Sequence, residues 1–322
     1  MNTREFFMKK KVIYIFATMC CMLWGSAFPA VKSGYEVFNI ASEDIPSKLV
    51  FAGYRFFLAG LIVLFIALLS KKELFKFNKR QLGQIALLGI TQTCLQYIFF
   101  YLGLAYISGA KGSILSGTGA FFSVIIAHYI YINDKLNLKK TLGCIIGFIG
   151  VIIVNFDSQL LGSSFTIKGE GAILISALIL SASSIYGKKL TQSMDSVVVT
   201  GYQLFIGGAV LIGLGYGFNG SISGFTIKST SLLIYLAMLS SIAFSLWTIL
   251  LKYNNVGTVA VFNFLTPIFG SILSAIFLHE NIWELKNAIA LICVCIGIWL
   301  VNRESNKKIN KLDPLHKKVK LN

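Results

Sequence analysis

The chain has 322 residues, 56% of them hydrophobic and 13% charged, with a formal net charge of +16. A soluble globular chain carries about twice that charged fraction, so the two soluble domains that this length suggests are excluded. The excess of lysine and arginine raises nucleic-acid binding, but its placement along the chain argues against a nucleic-acid partner.

In chain order, apolar runs of the about 17 to 25 residues that cross hydrocarbon as a helix occupy 12–31, 49–70, 82–104, 112–132, 141–156, 171–187, 197–217, 232–251, 257–278 and 285–302. The fifth and sixth are short or broken by glycine. The first run follows Arg4, Lys9, Lys10 and Lys11, yet it is too long for a signal-peptide core and no A-x-A site follows it. It reads as a retained first helix. The expectation is an all-α integral membrane protein of ten transmembrane helices with no soluble domain. With the N-terminus in the cytoplasm, 22 of the 29 basic residues fall on inner segments, while Lys32, Lys48, Lys111, Lys168, Lys228 and Lys286 mark outer ends and Arg55 lies within a helix. This asymmetry is the positive-inside rule, and it places both termini in the cytoplasm of a cell (inner or plasma) membrane. The six cysteines all lie in apolar runs without metal or redox spacing and read as small buried residues.

The two halves repeat. Residues 53–60 read GYRFFLAG and 201–208 read GYQLFIGG, at an offset of 148; Gly150–Asn155 (GVIIVN) matches Gly297–Asn302 (GIWLVN) at 147; Asp134 matches Glu280 at 146. The expected organisation is a cytoplasmic segment 1–11, a first five-helix repeat 12–156, a second 157–302 and a basic cytoplasmic tail 303–322. Five helices per repeat inserts the second copy upside down, and inverted repeats are typical of secondary transporters whose site lies near midplane between the copies.

The order of several short motifs resembles the EamA-type members of the drug/metabolite transporter superfamily. The residues that carry it are Trp24-Gly25-Ser26 with Phe28 and Lys32, Arg55-Phe56, the Gly-Leu-Ala-Tyr-Ile-Ser run 103–108, Gly143 and Gly150, and Pro267 thirteen residues before His279-Glu280. The likeness covers 12–302. It departs from the family pattern at Phe121, where a proline matching Pro267 is usual, at Asp134, where glutamate is usual, and by one extra residue after Glu280. The resemblance implies metabolite export or uptake without fixing one substrate.

Polar and large aromatic residues inside the apolar runs are the candidate substrate-binding set. Arg55, six residues into its run and so about 9 Å deep, is either an outer anion-attracting gate or a structural arginine; its repeat mate is Gln203. Trp24 and Trp247 lie away from the interfacial belt and suit a cavity wall that stacks on substrate, or ordinary packing. Gln92 and Gln96 share a helix face and either bind substrate or join helices. Tyr54, Tyr101, Ser116 and Asn263 complete the set. His128 reads as a core histidine. Gly143 and Gly147 allow close helix contact, within the monomer or in a homodimer.

None of the thirteen acids falls in the middle third of a run, so no midplane carboxylate is available to carry protons. Facilitated diffusion or exchange is expected. Scattered histidines and peripheral acids supply no catalytic residues, metal site or cofactor site, so the chain reads as no enzyme. The partners expected are a small-molecule substrate and the bilayer. The function that fits is export of a small polar or zwitterionic metabolite such as an amino acid. The alternatives are a phosphorylated-sugar or nucleotide-sugar exchanger, which needs several buried cations, and a membrane receptor or scaffold.

Overall fold

The computed structural model describes residues 3–107, 109–154, 165–277 and 288–303. The pairing of Asp134 with Glu280, the His279-Glu280 motif, Glu284, Lys286 and all of the tail after Arg303 lie outside the described residues, as do Asp157 and the side chain of Lys111. Within them the chain is helical, with no strand. After a short turn of helix at Thr3–Met8 come α1 (Lys10–Val37), α2 (Ile45–Leu69), α3 (Lys79–Leu104), α4 (Gly109–Ile130) and α5 (Leu138–Val154). They are followed by α6 (Ile167–Leu190), α7 (Ser196–Gly217), α8 (Ile227–Tyr253), α9 (the consecutive pieces Val256–Ala260, Val261–Phe264 and Leu265–Phe277) and α10 (Ala288–Arg303). Eight of these helices are long and apolar enough to cross a bilayer; α5 and α10 are apolar but shorter over the described residues.

Several helices start earlier than hydropathy indicates, because polar caps close their first turns. Asp44 accepts a hydrogen bond from the Ser47 amide at 2.9 Å, and a proline sits in the first turn of α2, a preferred N-terminus. Asn78 and Gln81 form a reciprocal capping box at α3. At α6 the buried Glu170 turns back to accept from the amide and hydroxyl of Thr166 at 2.8 and 2.7 Å.

Asp195 caps α7 by accepting from the Val197 and Val198 amides at 2.9 and 3.3 Å, and it pairs with Lys72 at 2.7 Å. Burial alone raises its carboxyl. The Lys72 hydrogen bond and the two amides outweigh that and hold it below the ordinary aspartate range. A depressed folded pKa contributes stability above the unfolded value and loses it as pH falls through the folded one. Asp195→Ala is therefore expected to cost about 1 kcal/mol at neutral pH, and the gap between the two melting curves should close below about pH 4. Thermal melts of the purified protein across pH measure both.

The repeated motif sits at the closest helix crossing. On α2 and α7, an added Cβ at Gly53 would stand 3.0 Å from the Gly208 carbonyl oxygen, and one at Gly208 would stand 2.9 Å from the Gly53 oxygen. At Gly60 it would meet the Phe205 nitrogen at 2.3 Å and the Gly201 oxygen at 2.8 Å. Position 53 faces 208 while 60 faces 201, so the two copies of the motif cross antiparallel and reciprocally. The last helix of each half does the same. Gly143 opposes Gly297 at 2.7 Å, Gly297 opposes Gly143 at 2.5 Å, and Gly150 opposes Ala290 at 2.7 Å. The Gly143-x-x-x-Gly147 face, open above to a dimer reading, is occupied within the chain by α10 and by Phe264.

Candidate functional site

Between the helices lies a cavity of about 700 Å³, within the size range of small-molecule sites. Part of its lining, with the rings packed behind it, is aromatic. The Trp24 ring meets Trp247 edge-on at 5.1 Å and Phe244 at 5.6 Å, and Phe56 links Phe244 to Tyr97 at 6.1 and 4.5 Å. The wall carries amides and hydroxyls from facing helices. Gln92 donates to Ser184 at 3.2 Å, and Gln96 donates to Ser176 at 3.0 Å. The Gln96 side-chain oxygen, on a residue 6% exposed, has no hydrogen-bond partner among the described residues, which is costly for a buried acceptor unless a ligand or water supplies the donor.

Two local irregularities turn polar groups inward. Gly89–Leu95 of α3 is a π-helical turn, wider than an α turn and frequent at functional sites; it carries Gln92. In α9, Pro267 has no N–H to give the carbonyl four residues before it, and that residue is Asn263, in the 3₁₀ piece Val261–Phe264. Asn263 faces the cavity there.

Arg55 is the deep charge. Because α2 begins at Ile45, Arg55 is ten residues in, roughly 15 Å along the helix axis. The apolar run itself begins four residues later, at 49, so Arg55 is ten residues into the helix and six into the run. The guanidinium is buried, donates to Ser240 Oγ at 2.8 Å and lies 4.9 Å from the Phe56 ring, and Tyr35, Tyr97 and Tyr101 line the same cavity. Lys32 also lines the cavity, and no carboxylate among the described residues does. The described interior is therefore positive.

The two ends of the cavity differ. Phe28, Lys32 and Ser42 are exposed, which makes a mouth on that side. At the other end Leu251, Val256 and Ala260 are buried. Behind that closed end, Asp134 and Lys140 form a buried ion pair at 2.5 Å, and Asp134 also accepts from the Gly257 amide at 2.9 Å. Lys188 donates to the Asn254 carbonyl, and Asn254 donates to the Phe7 carbonyl at 3.0 Å.

Of the ten candidates, Trp24, Arg55, Gln92, Gln96, Tyr101, Ser116, Trp247 and Asn263 line this one cavity. Tyr54 does not: its hydroxyl pairs with Tyr216 at 3.2 Å. Gln203 does not either: it is buried and donates to Thr93 at 3.0 Å. His128 accepts from the Leu136 amide at 2.9 Å, a closing bond at the end of α4. Sequence reasoning passed over Tyr35, Tyr97 and the α6 face Ala177, Leu180, Ser181 and Ser184. The last was legible, since positions i, i+3, i+4 and i+7 share a helix face and two of the four are serines in an apolar helix.

Comparison with known proteins agrees with this architecture. The sequence model of the EamA-like transporter family matches residues 11–156 and again 167–303. An uncharacterised transporter of Archaeoglobus fulgidus is 26% identical over 298 residues, 91% of this chain and 98% of its own. The uncharacterised transporter YoaV of Bacillus subtilis is 22% identical, over 87% of this chain and 92% of its own. A WAT1-related chloroplast protein of Arabidopsis thaliana is 22% identical over 87% of this chain and 66% of its own. One crystal structure superposes with a TM-score of 0.77 over 93% of this chain and 99% of its own, at 15% identity, which speaks to the fold alone.

Proposed function

The chain belongs to the EamA-like transporter family, and from that premise we propose that this multi-pass membrane transporter exports a small polar or zwitterionic metabolite such as an amino acid. The observation that carries the reading is Arg55, a buried guanidinium in the wall of a cavity of about 700 Å³ that no carboxylate among the described residues lines. A carboxylate on the substrate supplies the missing counter-charge through a charge-assisted hydrogen bond. The unpaired Gln96 oxygen accepts from a substrate N–H, and the Trp24, Phe244 and Trp247 rings take an apolar or cationic portion. A doubly phosphorylated substrate needs more than one deep cation and suits the cavity less well.

The proposed machinery is two inverted five-helix repeats, 12–156 and 157–302, spanning a cell membrane ten times with both termini cytoplasmic. The reciprocal antiparallel crossings of α2 with α7 and α5 with α10 support it, since two equivalent bundles of opposite orientation exchange conformations at similar energy. On this orientation the mouth at Lys32 and Ser42 faces outward. No carboxylate among the described residues lines the cavity, which favours facilitated diffusion or exchange over proton coupling.

The test compares metabolites released by cells that produce the protein with those released by cells that lack it. A few carboxylate-bearing compounds rising in the medium is the expected result. An unchanged medium, with folded protein in the membrane, overturns the export reading. For the compounds found, uptake into proteoliposomes should proceed without a pH gradient; strict dependence on one overturns the uncoupled mechanism.

A further inference from the structure

A second, much smaller space adjoins the cavity on its closed side. Gln92, Ser184, Trp247 and Leu251 line both, while Lys188 and Gln203 line only the small one. Its volume of about 10 Å³ is near the least that holds one water molecule.

The repeat explains where this space comes from. Phe100, Tyr101 and Leu104 line the open cavity. Advancing each by 147 residues gives Trp247, Thr248 and Leu251, all of which line the small space. Arg55 advanced by 148 gives Gln203. Their bonds correspond as well: Arg55 Nε donates to Ser240 Oγ, and Gln203 Nε2 donates to Thr93 Oγ1, with 240 and 93 themselves 147 apart. The small space is thus the repeat image of the open half of the cavity, collapsed.

The two images differ in charge. Gln203 is neutral where Arg55 is cationic, but the small space holds a cation from another helix. Lys188 lies 5.3 Å over the Tyr131 ring with its ammonium donating to the Asn254 carbonyl. The nearby acid, Asp134, is already engaged by Lys140 and the Gly257 amide.

We infer that this small space is the closed half of the permeation path, that Trp247 and Leu251 are its gate, and that Lys188 receives there the anionic group that Arg55 holds in the open half. Opening this side separates Leu251 and Trp247 from the Gln203 helix, giving the space between them that Phe100, Leu104 and Arg55 line on the open side. A carboxylate leaving Arg55 then meets Lys188 rather than bare hydrocarbon. The inference rests on the transport reading above.

Cysteine accessibility tests it in membrane vesicles of both orientations, with Cys293 and Cys295 changed to serine. Thr248→Cys reports on the small space and Ser42→Cys on the mouth. The probes are two membrane-impermeant thiosulfonates of similar size, one a sulfonate and one a quaternary ammonium. Ser42→Cys should react from one face and Thr248→Cys from the other. Leu251→Ala should speed the reaction of Thr248→Cys, and the sulfonate should outpace the ammonium by at least about tenfold, the scale of electrostatic steering into a charged cleft. Lys188→Gln should abolish that preference and Lys188→Arg should keep it. Labelling of Thr248→Cys that Leu251→Ala leaves unchanged, or a sulfonate preference that survives Lys188→Gln, overturns the inference. Labelling of both cysteines from the same face also overturns the inference, whereas the release assay above, with an unchanged medium, is what overturns the transport reading.

Discussion

Gly60→Ala and Gly208→Ala should each remove most of the folded protein, while Gly83→Ala and Gly213→Ala should leave it intact or slightly stabilised. The four changes add the same methyl group to the same kind of helix and differ only in what it meets. At Gly60 and Gly208 an added Cβ falls 2.3 Å from a backbone nitrogen of the facing helix, with an α-carbon at 2.6 and 2.8 Å behind it. Backbone atoms have no rotamer to move into, so α2 and α7 must separate along their whole crossing. Overpacking typically costs 1 to 3 kcal/mol when side chains can yield; here about 3 kcal/mol or more is expected. The crossing also holds the core around Phe56, Val63, Leu204 and Leu211, so its loss is global. At Gly83 and Gly213 nothing lies within 4 Å, and a helical Gly→Ala change recovers up to about 1 kcal/mol of helix propensity. The fraction of monodisperse protein after extraction and its melting temperature give the comparison. Equal behaviour of all four variants overturns the crossing.

The same glycines show how much of the architecture was legible in the chain. GYRFFLAG and GYQLFIGG announce two copies of one helix, and the structure presses those copies together at their glycines. The helix ends were legible too, but from capping rather than hydropathy. Asp44-Ile45-Pro46 carries an N-cap followed by proline, which marks the start of α2 four residues before the apolar run at 49. What the sequence withheld was the facing of side chains across neighbouring helices. Tyr54 and Arg55 are adjacent, yet one turns to Tyr216 and the other to the cavity. Arg55 and Gln203 are repeat mates, yet only Arg55 lines the open cavity, while Gln203 is buried against Thr93. No periodicity in a single chain encodes which half is open.

Arg55→Gln should lower transport of the compound identified by medium profiling roughly 10- to 150-fold at equal amounts of folded protein, the kinetic equivalent of the about 1.5 to 3 kcal/mol carried by a hydrogen bond to a charged partner. Stability should move the other way or hardly at all. The guanidinium donates to Ser240 and faces no carboxylate among the described residues, so its burial is a cost that the neutral amide relieves. A structural arginine predicts the opposite pattern: melting temperature falls, folded yield falls, and transport per folded molecule is unchanged. Arg55→Lys separates charge from shape. Lysine keeps the cation but not the planar fork that grips a carboxylate at two points, so it should recover only part of the lost rate and weaken discrimination between carboxylates and their amide analogues. Full recovery by lysine would make Arg55 a source of positive potential alone. No loss in either variant would leave this buried charge without a transport role, and attention would pass to other polar atoms of the wall, such as the Gln96 oxygen.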